Sequence, residues 1–160
     1  MNKKNILITG GAGYIGSHTI VELYNSGYKP IVVDNLSNSS LNNITGAEQI
    51  IKSKIDFYKV DCADFDQMDK IFKELNNIDA VIHFAAYKSV EESLTNPNKY
   101  FSNNIGSLET LLDLMTKHRV YNIIFSSSCT VYGTPEILPV NELASFGKAE
   151  SPYGETKQLC

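Results

Sequence analysis

Tyr153 and Lys157 stand four residues apart in Ser151-Pro152-Tyr153-Gly154-Glu155-Thr156-Lys157. On a helix that spacing places a phenol and an ammonium on one face, a turn apart. A free phenol has a pKa of about 10 and is a poor base at neutral pH. A nearby ammonium, or any bound cation, favours the phenolate and lowers that value. Such a tyrosine can take a proton from an alcohol while hydride leaves the same carbon. Ser126-Ser127-Ser128, upstream, can supply a hydroxyl that shares the proton. Tyr and Lys at this spacing are common on helix faces, so the pair acquires meaning only from what precedes it.

What precedes it is a glycine turn. Thr9-Gly10-Gly11-Ala12-Gly13-Tyr14-Ile15-Gly16 follows the apolar run Ile6-Leu7-Ile8. It opens a periodic segment, Ile15, Ile20, Val21, Leu23 and Tyr24, that ends at Gly27. Strand, tight turn and helix in that order aim backbone N–H groups and a helix N-terminus at an anion, most often a pyrophosphate. Gly10, Gly13 and Gly16 are spaced G-x-x-G-x-x-G with an extra Gly11, which differs from the plain G-x-G-x-x-G dinucleotide fingerprint. Asp34 ends the next apolar run, Ile31-Val32-Val33. A carboxylate there can accept both ribose hydroxyls of an adenosine and repels a 2′-phosphate, which favours NAD over NADP. Oxidised nicotinamide is then a cation that assists Tyr153.

These residues need elements to position them. The chain has 160 residues, 42% hydrophobic and 20% charged, enough for one soluble domain with a real core. Its net charge of −4 argues against a general nucleic-acid or membrane binder. No apolar run approaches the roughly 20 residues of a membrane span. Met1-Asn2-Lys3-Lys4 leads straight into a strand and does not read as a signal peptide. Cys62, Cys129 and Cys160 are odd in number and far apart, so neither a disulfide framework nor a metal site is expected. The cytoplasm, where thiols stay reduced, is the expected compartment.

Apolar runs and helical patterns alternate along the whole chain. Strands are expected at 6–8, 29–34, 56–60, 80–86 and 122–127, with Pro30 at the start of the second, where a missing N–H is tolerated. Residues 35–43 read as a polar loop, followed by a helix to about Lys54 with Ala47, Ile50 and Ile51 as its apolar face. Asp64 caps a helix carrying Phe65, Met68, Ile71, Phe72 and Leu75, and 64–73 also presents a solvated, charged face. Asn96-Pro97 reads as a helix cap and first position, and Leu108, Leu111, Leu112 and Met115 form the buried stripe that follows. Ser151-Pro152 repeats the cap signal, with a helix from Tyr153.

The fold class is therefore α/β: a Rossmann-like, doubly wound parallel sheet in the order 3-2-1-4-5. The fifth strand lacks an outer neighbour and exposes an edge that oligomerisation could cover. A sheet that stops there, two turns into a helix, reads as the front of a longer protein. Residues 1–160 then form an incomplete NAD-binding domain, with the substrate domain outside this chain. In such sheets ligands bind beyond the carboxyl ends of the strands, which are here 9–16, 34–39, 61–62, 84–88 and 126–130. Asp61 can bond an adenine amino group or simply cap its own turn. Asn103, a poor helix residue, can serve a ligand, a neighbouring loop or only solvent. His83, flanked by apolar residues, reads as a satisfied sheet residue rather than a catalyst. His18 falls in the first helix, and His118 suits a helix C-terminus.

T-G-x-x-G-x-x-G with Y-x-x-x-K resembles the extended short-chain dehydrogenase/reductase superfamily, and within it the nucleotide-sugar 4-epimerases. The likeness runs from about Asn5 to Cys160 and includes Gly10–Thr19, Val33-Asp34-Asn35-Leu36, Val81–Val90, Phe125–Gly133 and Ser151-Pro152-Tyr153-Gly154. It implies that Tyr14 and Ile15 lie against the NAD pyrophosphate. Asp34, Asn35, Ser37, Asn38 and Ser39 would hold the adenosine ribose side, and Asp61 and Cys62 would meet the adenine. Phe84, Ala85, Ala86, Lys88 and Asn103 would line the cofactor site, with Lys88 also reaching substrate. Ser128 and Tyr153 would address the sugar hydroxyl, and Lys157 the nicotinamide ribose. The implied reaction interconverts UDP-glucose and UDP-galactose by transient oxidation at C4, rotation of the 4-keto sugar and return of hydride to its other face. The family also pairs subunits through helices matching 97–118 and the one that starts at Pro152. Ala86 and Cys129 stand where the family often has Gly and Ala, both small changes. Dehydratases and decarboxylases are sister enzymes, and the dehydratases place an acid after the serine run. Cys129-Thr130 offers none, which favours epimerisation. The 160 residues alone are expected to show little or no turnover, and a non-catalytic dinucleotide-binding module is the alternative.

Overall fold

Runs such as Ile6-Leu7-Ile8 and Ile31-Val32-Val33 are apolar at every position, and only a sheet covered on both faces can bury them. The computed structural model describes residues 3–135 and 137–160. Met1 and Asn2, which open the stretch read above as no signal peptide, lie outside the described residues. The strands are β1 (Asn5–Thr9), β2 (Lys29–Val33), β3 (Asp56–Tyr58), β4 (Ala80–His83) and β5 (Ile123–Phe125). All pair in parallel in the order β3-β2-β1-β4-β5, as expected from the alternation of strands and helices.

Two compact units make up the chain. The first runs through Ala85 and resumes over Glu109–Ser126, and it contains the whole sheet. Its helices are α1 (Tyr14–Asn25), α2 (Leu41–Ile51) and α3 (Phe65–Leu75). The strand period of two sorts side chains between two cores. Leu7, Ile31, Val33 and Val81 join Met68, Ile71, Phe72, Leu111, Leu114 and Met115 on one face. Ile6, Ile8, Val32 and Ile82 join Ile20, Ile44, Ala47 and Ile51 on the other. The second core ends at β4, so Ile124 on the edge strand β5 is 63% exposed.

Two side chains depart from their expected faces. Ile50 and Leu112 are exposed, and Ile44 and Leu114 take their places in the cores. On α2 the buried row is Ile44, Ala47 and Ile51, on α6 it is Leu108, Leu111, Leu114 and Met115, and Ile50 and Leu112 each sit one residue off it. The charged stretch around α3 is not uniformly solvated either. Asp69 is buried and paired with Lys73, Lys117 and the ring of His118. His83 behaves as expected of a sheet residue, with Nδ1 2.6 Å from the Thr9 hydroxyl on the neighbouring strand.

The second unit comprises Ala86–Leu108 and Ser127–Cys160. It contains α4 (Val90–Thr95), α5 (Pro97–Tyr100), a π-helical turn over Phe101–Ile105 and the helix that carries Tyr153 and Lys157, α7 (Pro152–Leu159). Between the π turn and β5, α6 (Gly106–Lys117) spans the division of the chain. Pro97 does occupy the first turn of α5, but the Asn96 side chain does not cap it. Asn96 is already engaged in ending α4, its N–H donating to the Glu92 carbonyl at 2.9 Å. Ser151 caps α7 as read, accepting from the Gly154 N–H at 3.1 Å.

Candidate functional site

In the first unit the glycine turn is built by two kinds of glycine. Gly10 has φ +70°, and a Cβ there would lie 2.6 Å from the Ala85 nitrogen at the end of β4. Gly16 would place a Cβ 2.6 Å from the Gly10 carbonyl oxygen and from the Gly11 Cα. Both are required by the fold itself. Gly13 is different: its φ is −72°, and the nearest atom to an added Cβ is the Gly10 oxygen at 3.2 Å. The protein barely needs a glycine there. The bare backbone at the start of α1 instead leaves room for something to approach from outside. Gly13 also caps α1 with no side chain, and Tyr14 and Ile15 behind it are 74% and 56% exposed.

Asp34 ties this turn to β2. Its Oδ2 accepts the Ala12 N–H at 3.0 Å, and its Oδ1 accepts the Leu36 N–H at 2.9 Å and the Ser39 hydroxyl at 2.8 Å. Leu36 sits in the left-handed region at φ 60°, an unfavourable conformation for leucine that these bonds help to hold. The next strand end joins in through Asn35, whose Nδ2 donates to Asp61 Oδ2 at 2.9 Å. Asp61 Oδ1 accepts the Ala63 N–H at 3.0 Å, the turn-capping role also foreseen for it. Asn35 Oδ1 receives the Ser37 N–H at 2.9 Å, and Ser37 and Asn38 are exposed. Phe84 and Ala85 complete the rim beside Gly10. Cys62 is drawn away from it, its side chain buried in the core with Met68 and Ile71.

In the second unit Tyr153 and Lys157 are both buried, at 8% and 6% exposure, one turn apart on α7. Burial pushes the Lys157 ammonium below the ordinary lysine range, with Cys160 acting in the opposite direction. Ser128 caps the short 3-10 turn Cys129–Tyr132, and its Oγ accepts the Thr130 hydroxyl at 2.9 Å. Thr130 approaches the first turn of α7, within 3.5 Å of where a Gly154 Cβ would stand. Lys88 is exposed, while Ala86 and Asn103 are partly buried.

The amide that clamps a neighbouring loop is that of Asn104 and not Asn103. Asn104 Oδ1 accepts the Tyr87 N–H at 2.9 Å, and Asn104 Nδ2 donates to the Tyr87 carbonyl at 3.0 Å and to the Thr156 Oγ1 at 3.1 Å. Asn103 Nδ2 donates to that same Asn104 oxygen at 3.0 Å. One buried side chain thus links the residue before Lys88 to the residue before Lys157. It does so from a π turn, a feature frequent at functional sites. The doubled Asn103-Asn104 inside a helical pattern was the available signal. Helix α4 had one too: Ser89 accepts the Glu92 N–H at 3.2 Å, the S-x-x-E pattern of a capping box.

A parallel sheet in this order, with a glycine turn after its first strand and an acid at the end of its second, is a Rossmann-like dinucleotide-binding fold. More narrowly, the chain belongs to the NAD dependent epimerase/dehydratase family, whose model matches residues 6–160. It is 53% identical over 152 residues to a UDP-glucose 4-epimerase of Dictyostelium discoideum, covering 95% of this chain and 44% of that one. It is 51% identical over 154 residues to the enzyme of that name from Bacillus subtilis (strain 168), covering 96% and 45%. Among solved structures, UDP-glucose 4-epimerase from Bifidobacterium longum in complex with NAD+ and UDP superposes with a TM-score of 0.95 at 47% identity, over 98% of this chain and 46% of that one. The chain thus spans somewhat under half the length of the relatives it matches. No helix among the described residues is long and apolar enough to cross a membrane.

Proposed function

We propose that this chain is the NAD-binding portion of a UDP-glucose 4-epimerase, and that the whole enzyme interconverts UDP-glucose and UDP-galactose. The observation that carries this reading is that the family match over 6–160 takes in both the glycine turn and Tyr153–Lys157, on a chain half-identical to enzymes of that name. The residues present suit NAD. Gly13 leaves the helix entrance open, Asp34 is anchored at the end of β2, and the loop that follows offers Asn35, Ser37, Asn38 and Ser39 toward a ribose. Tyr14, Ile15, Gly10 and Gly16 border the pyrophosphate, Asp61 and the Cys62 backbone the adenine, and Phe84, Ala85, Ala86, Lys88 and Asn103 the remainder. When bound, NAD supplies a reversible hydride acceptor for the sugar C4.

The chain's own residues handle the proton. Tyr153 takes it from the sugar 4-hydroxyl and later returns it. Ser128 shares it through its hydroxyl. Lys157, buried one turn along α7 from Tyr153, binds the nicotinamide ribose. Because oxidation is undone within the same turnover, the net reaction is an isomerisation. The enzyme works as a homodimer through the 97–118 segment and the helix from Pro152, and its compartment is the cytoplasm.

The test uses the full-length polypeptide that carries this sequence. It should purify with a nicotinamide dinucleotide, convert UDP-galactose to UDP-glucose and run as a dimer in light scattering. Tyr153→Phe should abolish turnover while keeping the dinucleotide. A stable 4-keto-6-deoxy product without the epimer would instead assign a dehydratase. Turnover by the 160 residues alone would refute the assignment of substrate binding to a further portion.

A further inference from the structure

Tyr153 has a neighbour that the proton transfer does not use. The rings of Tyr100 and Tyr153 form a T-shaped pair, with centroids 6.4 Å apart and planes at 76°. Tyr100 is fully buried and Tyr153 nearly so. Aromatic pairs at this distance favour such an arrangement. Tyr100 is itself held from the other end. Its hydroxyl donates to Glu92 Oε2 at 2.7 Å, while Lys99 Nζ donates to Glu92 Oε1 at 2.6 Å. That ammonium lies 4.1 Å from the centre of the Tyr87 ring, and Tyr87 leans on Tyr100 with centroids 5.8 Å apart. Burial first, and the Glu92 carboxylate second, push the Tyr100 phenol above its ordinary range, so it stays protonated and keeps donating.

We propose that Tyr100, anchored through its hydroxyl to Glu92, is a positioning residue that fixes the ring plane of Tyr153 and hence the direction of the phenol oxygen. The proposal rests on Tyr153 being the base, as set out above. Tyr100 touches neither substrate nor cofactor in this role. It matters because a displacement of about 1 Å at a reacting atom can cost about a hundredfold in rate. The anchor makes a particular prediction about which changes hurt. Removing Glu92 alone leaves a buried hydroxyl short of its strongest acceptor, and the ring must shift to relieve it. Removing the hydroxyl as well takes away the reason to shift.

The experiment measures kcat per bound nicotinamide and KM for the UDP-sugar in the full-length enzyme. Glu92→Ala should lower kcat about fivefold or more with KM within about twofold of wild type. The double variant Glu92→Ala/Tyr100→Phe should recover most of that loss, since no buried hydroxyl is then left unpaired. Tyr100→Leu, which removes the ring, should lower kcat about tenfold or more without raising KM. Where Tyr100→Leu does not fold, the Glu92 pair decides. A Glu92→Ala enzyme as fast as wild type, or a double variant no faster than Glu92→Ala, overturns the proposal. Tyr153→Phe is assayed alongside: if it still turns over, the assignment of the base fails, whatever the Tyr100 variants show.

Discussion

The Asp34 carboxylate accepts the backbone N–H of Ala12 at 3.0 Å, a bond that joins the end of β2 to the middle of the glycine turn across 22 residues. The residue expected to meet a ribose is therefore also the residue that shapes the loop meant to meet the pyrophosphate. Asp34→Ala should strip acceptors from the N–H groups of Ala12 and Leu36 together. The expected cost is about 1–3 kcal/mol of stability, read from urea melts, for leaving buried donors unsatisfied. NAD affinity should fall about tenfold or more in titration calorimetry, beyond what instability explains. Unchanged stability would mean that the loop holds its shape without the carboxylate.

Two of the motif glycines, Gly13 and Gly16, should separate by substitution. Gly16→Ala drives a methyl into backbone at 2.6 Å, so the folded protein should lose about 2 kcal/mol or more, or fail to accumulate. Gly13→Ala meets only one oxygen, at 3.2 Å, and should change the melting midpoint little. Its methyl would instead occupy the approach to the helix entrance, and the affinity for NAD should drop about tenfold or more. Equal effects of both substitutions on stability would contradict this division of labour.

Asn104 predicts a stability effect that its neighbour does not share. Asn104→Ala leaves the Tyr87 N–H and carbonyl and one bond to Thr156 without their partner. We expect a loss of about 2–4 kcal/mol in chemical denaturation, because several buried polar groups are orphaned together. Asn103→Ala, which removes one bond to a side chain, should cost well under half as much. A larger effect at Asn103 would restore it as the structural clamp.

The ion-pair cluster at Asp69 carries a pH signature. Hydrogen bonds from Lys73, then His118, then Lys117 hold its carboxyl well below the usual carboxylate range. A carboxyl depressed in the folded state stabilises fully above its unfolded value of about 4, and that contribution fades as pH falls below it. Asp69→Asn should therefore lower the urea midpoint near neutral pH, and the deficit should shrink progressively below about pH 4. A deficit of constant size across the acid range would show that the loss comes from packing rather than charge.

Much of the architecture was readable because it depends on local, periodic features. The apolar runs, the glycine turn and the Ser151-Pro152 cap each specify their own backbone through sterics and hydrogen bonds between near neighbours, and all three appear where expected. Errors cluster where a pattern leaves two faces nearly equivalent. Ile50 and Leu112 lie beside the true stripe, and only the neighbouring elements determine which side is covered. Helix α4 and the π turn escaped because Ser89-x-x-Glu92 and Asn103-Asn104 are polar signals, and a search for apolar period passes over them.

By itself, the order of residues determined the sheet, its strand sequence and the two motifs on which the functional proposal rests, since alternation and turn chemistry act within a few residues. The tertiary structure alone decided which polar side chain answers which backbone. It gave Ala12 to Asp34, Tyr87 to Asn104 and the ring of Tyr153 to Tyr100. Those partners stand 17 to 53 residues apart, and pairing at that range follows only from how buried groups find acceptors once the cores have closed.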